Sequence, residues 1–268
     1  MMLFMAEGPH VSLVAEKMFK IGPVNITNSM LLGSLGTILV VWLFFYTAGK
    51  VKTGNHNRLS IAILWMFEML LGTAEEVLGS REKALKLAPL AITMFFVILV
   101  NNWAGLLPFV GPVTYNGEPL FRGLASDLNF TAVLAVITMV TAQIWAIRTH
   151  GFFGNIGRYV ANPFTQPMKV FEGFLEIIAE FSRLIALAMR LFGNVFGGEV
   201  LLAVMGFITA YAAPIALPPF MFLELFVGAI QAYVFFMLTC VFVSLGTASH
   251  HEEEEQEAVI SGHMEEAA

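Results

Sequence analysis

The chain has 268 residues, of which 57% are hydrophobic and only 13% charged, with a net charge of −6 to which five acids between Glu252 and Glu257 contribute most. Soluble domains carry roughly a quarter charged residues, and several apolar runs here reach the ~20 residues that span a bilayer. An ordinary soluble domain is excluded, and the chain reads as an all-α polytopic membrane protein, a single integral domain over 1–268.

In chain order, residues 1–28 form an external N-terminal segment, with a short amphipathic helix expected around Val11 to Phe19. The opening MMLFMAEGPHVSL has no basic stretch ahead of an apolar core, so it does not read as a cleaved signal peptide. Membrane helices fill 29–248. The first span runs from about Met30 to Ala48 and is followed by Lys50, Lys52 and Arg58. LSIAILWMFEMLLGTAEEVLGSREKA has an apolar first half and an acidic second half, which suits a helix along the interface or packed on other spans. Leu87 to Leu107 is the second span, ended by Pro108. A polar loop leads to Asp127, whose place in DLNFT is that of an N-cap. The third span is Leu128 to Ile147.

A helix from about Pro167 to Phe207 would be roughly 60 Å long, against a hydrocarbon core of about 30 Å. It must break or lie strongly tilted. The last helix, Pro219 to about Leu245, would be roughly 40 Å long and should tilt as well. AAPIALPP joins the two in a tight turn, giving a long, slanted C-terminal hairpin. Cys240, the single cysteine, lies in an apolar run and reads as packing. Residues 249–268 are an acidic tail.

Basic residues cluster after the first span (Lys50, Lys52, Arg58, Arg81, Lys83, Lys86) and after the third (Arg148, Arg158, Lys169). Lys17, Lys20 and Arg122 fall on the opposite side. This imbalance predicts an external N-terminus and a cytoplasmic C-terminus, the parity that five spans require.

Arg190 stands in the middle of the slanted helix. A guanidinium stays charged, so it must face protein, water or a carboxylate. Glu176 is about 21 Å away along the axis, and Glu199 falls on the opposite face, so neither pairs with it locally. Asn194, at i+4, is its polar neighbour. The remaining readings are a structural arginine capped from another helix, or a charge whose carboxylate belongs to another protein. Glu176 and Glu180 lie on the inner side of Arg190 and Glu199 on the outer side. Antiparallel packing would bring Glu224 and Gln231 of the last helix towards Glu199 and Asn194. That arrangement predicts two polar tracks separated by Arg190. Gly193 and Gly197 form a G-x-x-x-G pattern that admits a close helical neighbour. There is no phosphate-binding loop, metal-ligand spacing or nucleophile elbow. The sequence therefore points to no cofactor, metal or nucleic acid, and to lipid as the surrounding medium.

MRLFGNVFGGE closely resembles the signature of subunit a of the F-type ATP synthase. FEMLLG, KLAPLAITMFFVILVNNWAGLLP, DLNFT, FLEIIAEFSRLIALAMR and IQAYVFFMLT resemble the family's other blocks, in its order, over about Leu59 to Leu245. The resemblance implies a non-catalytic stator with two aqueous half-channels, facing a rotating ring of carboxylate-bearing c subunits and joined to b-type peripheral-stalk subunits. It implies a bacterial plasma membrane and proton, or in some members Na⁺, transport. The family's essential arginine matches Arg190 and its asparagine Asn194. The half-channel acid or histidine matches Glu199, its usual partner Glu224, the glutamine Gln231 and the inner glutamate Glu176. Many members pair one His with one acid where this chain has Glu199 and Glu224. Two close glutamates could share a proton, because like charges resist a second ionisation.

Two other classes remain open at this point. A secondary transporter could use Glu176, Arg190 and Glu199 as an ion and substrate site, although such folds often show internal repeats and none is evident. In a structural scaffold, Arg190 would only dock a partner. A voltage sensor needs several spaced arginines, and this helix has one such position.

Overall fold

A computed structural model describes residues 16–21, 24–54, 57–107, 110, 113–115, 118–159 and 167–248. The expected acidic tail and most of NPFTQPMK lie outside these residues. Two strands, β1 (Lys17–Ile21) and β2 (Val24–Thr27), form an antiparallel hairpin. The helix expected around Val11 to Phe19 is thereby corrected: its described part pairs as a strand, because Lys17–Ile21 and Val24–Thr27 are two short β-prone runs that satisfy each other's backbone groups. The rest of that expectation lies outside the described residues.

The helices are α1 (Asn28–Lys52), α2 (Arg58–Leu78), α3 (Arg81–Gly105), α4 (Leu128–Tyr159), α5 (Pro167–Thr209) and α6 (Ala213–Thr247). Five of them, all but α2, are long and apolar enough to cross a membrane. Between α3 and α4 lie the two-residue strands β3 (Thr114–Tyr115) and β4 (Glu118–Pro119), then a 3-10 turn at Leu124–Ser126. The chain is an all-α polytopic membrane protein with two small hairpins.

Local chemistry sets the helix ends. Asn57 caps α2: its side chain accepts from Arg58 N at 2.8 Å, and Ser60 Oγ accepts from Asn57 N at 2.9 Å. Gly79, at φ 66°, ends α2 in the left-handed region and turns the chain into α3. Asp127 Oδ1 accepts from Asn129 N at 2.9 Å at the start of α4, as an N-cap residue should. Its other oxygen accepts from Ser29 Oγ at 3.0 Å and ties α1 to α4. Gly151, at φ 74°, kinks α4 just beyond Arg148.

The core forms where α3 and α6 meet. Leu87, Ile92 and Ile98 of α3 are fully buried with Phe235, Phe236 and Cys240 of α6, and Leu70 of α2 packs on the same cluster. The packing role expected for Cys240 fits this position. Three side chains cross-link helices to backbone carbonyls. Asn102 Nδ2 donates to Gly228 O at 3.3 Å, Trp103 Nε1 to Leu225 O at 3.1 Å, and Ser244 Oγ to Val77 O at 3.1 Å. In a bilayer such bonds satisfy groups that water cannot reach. Gly36 lets α1 close on α3, because a Cβ there would overlap the Asn101 side chain.

α5 runs unbroken for 43 residues, about 65 Å at 1.5 Å per residue. The expectation of a break or a slant therefore resolves to a slant, since the hydrocarbon core is only about 30 Å thick. One face of α5 packs on α4, α6 and the Leu124–Ser126 turn. The turn into α6 is tighter than AAPIALPP suggests: a 3-10 turn at Ala210–Ala212 suffices, and α6 already begins at Ala213. Pro214 sits in its first turn, where a missing N–H costs nothing. Pro218 and Pro219 follow inside the helix. Their fixed φ is helical, so the helix continues with two hydrogen bonds fewer.

Candidate functional site

Arg190 is exposed. It lies on the face of α5 that no other described helix covers, beside exposed Ala186, Met189, Gly193 and Gly197. Nothing lies within 4 Å of a Cβ built on Gly193 or Gly197. A patch of charge and glycine is thus set in an apolar stripe that includes Phe174, Ile178, Phe181, Leu201 and Val204. Among the described residues Arg190 has no ion pair. Its neighbour one turn on, Asn194, is half-buried, with its Nδ2 turned inward and left without a partner.

Two cavities flank this position along α5. The larger, about 560 Å³, lies between α5, α6 and the segment after α3. Glu199 and Glu224 both line it, with Asn102, Gly105 and Gly123. The smaller, about 130 Å³, lies between α4, α5 and α6 and is lined by Gln143, Glu176, Glu180 and Arg183. Glu199 is nine residues after Arg190 and Glu180 ten before it, about 14 and 15 Å along the helix. The acids on either side of Arg190 are therefore in separate spaces.

Within the larger cavity the helices touch closely. A Cβ on buried Gly198 would overlap the carboxyl group of Glu224, so glycine is what allows that carboxyl to lie against α5. Glu199 Oε2 accepts from Arg122 Nε at 3.3 Å. Arg122 is 4% exposed; its Nε also donates to Ser126 Oγ at 3.0 Å, and its guanidinium carbon is 5.9 Å from the centre of the Phe196 ring. A guanidinium buried so deeply needs its carboxylate, because an unpaired charge there is costly. Gln231, one of the expected site residues, is buried on α6 with its Nε2 unpartnered.

In the smaller cavity Gln143 Nε2 donates to Glu180 Oε1, and Asn155 Nδ2 donates to Gln143 Oε1 at 3.2 Å. The guanidinium of Arg183 lies over the Phe242 ring, at 5.9 Å. Arg122, Gln143 and Asn102 are site residues that sequence reasoning did not single out. Arg122 was read only as a charge on the outer side, and its partner is 77 residues away. The signal that could have found it is its isolation: it is the basic residue of an otherwise uncharged turn, FRGLAS, ahead of an acid-capped helix.

Comparison with known proteins gives a consistent result. The family described as ATP synthase A chain matches residues 30–244. The chain is 30% identical to the ATP synthase subunit a of Acidothermus cellulolyticus over 229 residues, 83% of this chain and 77% of the relative. It is 31% identical to that of Mycobacterium ulcerans over 232 residues, 81% and 86% of the two chains. It is 28% identical to that of Enterococcus faecalis over 237 residues, 85% and 95% of the two chains.

Proposed function

The chain belongs to the ATP synthase A chain family, the subunit a of the F-type enzyme, and from that premise we propose that Arg190 is the fixed charge past which the carboxylates of a rotating c ring move. As a family member it is a multi-pass membrane component of a multisubunit complex. In the proposed mechanism the larger cavity is an external half-channel and the smaller one a cytoplasmic half-channel. A proton entering the larger cavity passes between Glu199 and Glu224, and by Asn194 and Gln231, to a rotor carboxylate. After nearly a full turn it leaves towards Glu176. The chain takes no part in the chemistry of ATP. It is held against the ring by b-type peripheral-stalk subunits in a bacterial plasma membrane, with the N-terminus outside and the C-terminus in the cytoplasm.

The observation that carries this reading is the exposure of Arg190, without an ion pair among the described residues, between two separate acid-lined cavities. A charge on a helix face at membrane depth needs a counter-charge. A rotor carboxylate on a neighbouring helix supplies it, and Gly193 and Gly197 leave room for that helix to approach. Arg190 attracts the carboxylate when it is deprotonated and repels cations that would leak between the cavities. A secondary transporter would enclose the arginine in its own substrate site, and here the arginine faces outward.

Thiol labelling tests the sidedness. Ala203 lines the larger cavity and Leu245 the smaller, while the native Cys240 is fully buried. A membrane-impermeant thiol reagent should modify Ala203→Cys only in right-side-out vesicles of the whole complex, and Leu245→Cys only in inverted ones. Labelling of both from one side would contradict two half-channels.

A further inference from the structure

Two carboxylates share the larger cavity, but their surroundings differ. Behind Glu199 stands Arg122, 4% exposed, with its Nε 3.3 Å from Glu199 Oε2. Its chain neighbours Phe121 and Gly123 line the cavity on either side of it. Besides Glu199, two side chains fix the arginine: Ser126 Oγ accepts from the same Nε and Phe196 covers the guanidinium, and Ser126 is itself held by a 2.8 Å bond to Gly123 O. Glu224 has no such cation. Among the described residues it makes no ion pair, and its carboxyl lies against the backbone of Gly198.

We propose that Arg122 is a positioning residue that pins and charge-balances Glu199, so that Glu224 is the carboxylate of this cavity that carries the exchangeable proton. Two negative charges in one confined space repel each other. A guanidinium does not deprotonate, so Arg122 cancels one of the two charges permanently. The charge left to vary by gain and loss of a proton is that of Glu224. The transfer is a simple one: a proton from the water-filled side binds a Glu224 oxygen and leaves again towards the rotor, with Glu199 a fixed dipolar wall. This inference rests on the reading of the larger cavity as a half-channel.

The test is ATP-driven acidification of inverted vesicles carrying the whole complex, expressed per assembled complex. Glu224→Gln should lower pumping by at least about tenfold, and adding Arg122→Gln should not restore it. Glu199→Gln, which strands the buried charge of Arg122, should pump poorly as well. Arg122→Gln should pump poorly, Arg122→Lys better, and the double variant Arg122→Gln/Glu199→Gln should pump several-fold better than either single variant, as a double-mutant cycle requires of a coupled pair. A purely structural role would change the amount of complex but not pumping per complex. If Arg122→Gln does not assemble, the double variant still decides. The inference is overturned if the double variant pumps no better than Arg122→Gln or Glu199→Gln, or if adding Arg122→Gln restores Glu224→Gln. If Glu199→Gln and Glu224→Gln both pump like wild type, the half-channel reading itself falls.

Discussion

Gly198 of α5 and Glu224 of α6 are so close that no side chain fits between the glycine Cα and the carboxyl group. The obstructing atoms are the far end of a flexible side chain, so Gly198→Ala should push the carboxyl aside without unfolding the hairpin. Misplacing a reacting group by about 1 Å can cost up to ~100-fold in rate. The expected outcome is normal assembly with ATP-driven pumping lowered on the order of tenfold. Wild-type pumping by the assembled variant would mean that the place of Glu224 does not matter.

A second close approach is purely structural. Gly36 of α1 faces the buried side chain of Asn101 on α3, which donates to Val97 O at 2.8 Å. Gly36→Leu would overpack that contact, at about 1–3 kcal/mol. The yield and thermal stability of the solubilised complex should fall, whereas pumping by the complexes that survive should be preserved.

Gly197 makes the opposite case. It is exposed, and a Cβ there meets nothing within 4 Å in the chain itself. Gly197→Leu should leave the chain's own fold and membrane insertion intact. If a rotor helix passes over this face, the added side chain obstructs it and both ATP-driven pumping and coupled ATP hydrolysis fall together. Unchanged pumping would place the rotor on another face.

Asp127 joins two helices through its two carboxylate oxygens. Asp127→Ala removes the N-cap of α4, worth about 1 kcal/mol, and the bond from Ser29, worth about 1 kcal/mol more. Thermal unfolding of the solubilised complex should report a loss of about 2 kcal/mol, and Ser29→Ala about half of that. Equal losses from the two substitutions would mean that the capping bond contributes little.

The parts of this molecule visible in its sequence are those governed by local pattern. Runs of apolar residues longer than the bilayer needs gave the spans, and the excess length from Pro167 onward already implied a slanted helix. Arg190 was conspicuous because no acid could reach it along its own helix, and it is indeed without an ion pair among the described residues. Pairings between distant segments were hidden. Arg122 meets Glu199 across 77 residues, and Gln143 meets Glu180 across 37. No periodicity encodes such contacts, since they depend on how α4, α5 and the intervening turn pack. The N-terminal hairpin was misread because runs of four or five residues suit a helix as well as a strand until a partner is known. The start of α6 was placed too late because Pro218 and Pro219 look like turn residues, yet their fixed φ is helical and the helix carries them inside it with two hydrogen bonds fewer.

The most direct test of the central claim is Arg190→Ala, measured as ATP-driven acidification of inverted vesicles, with assembly verified by co-purification of the complex. The account predicts that the complex assembles and that acidification is abolished. Acidification at or near the wild-type rate by a complete complex would show that Arg190 is not part of the ion path, and would contradict the proposed mechanism.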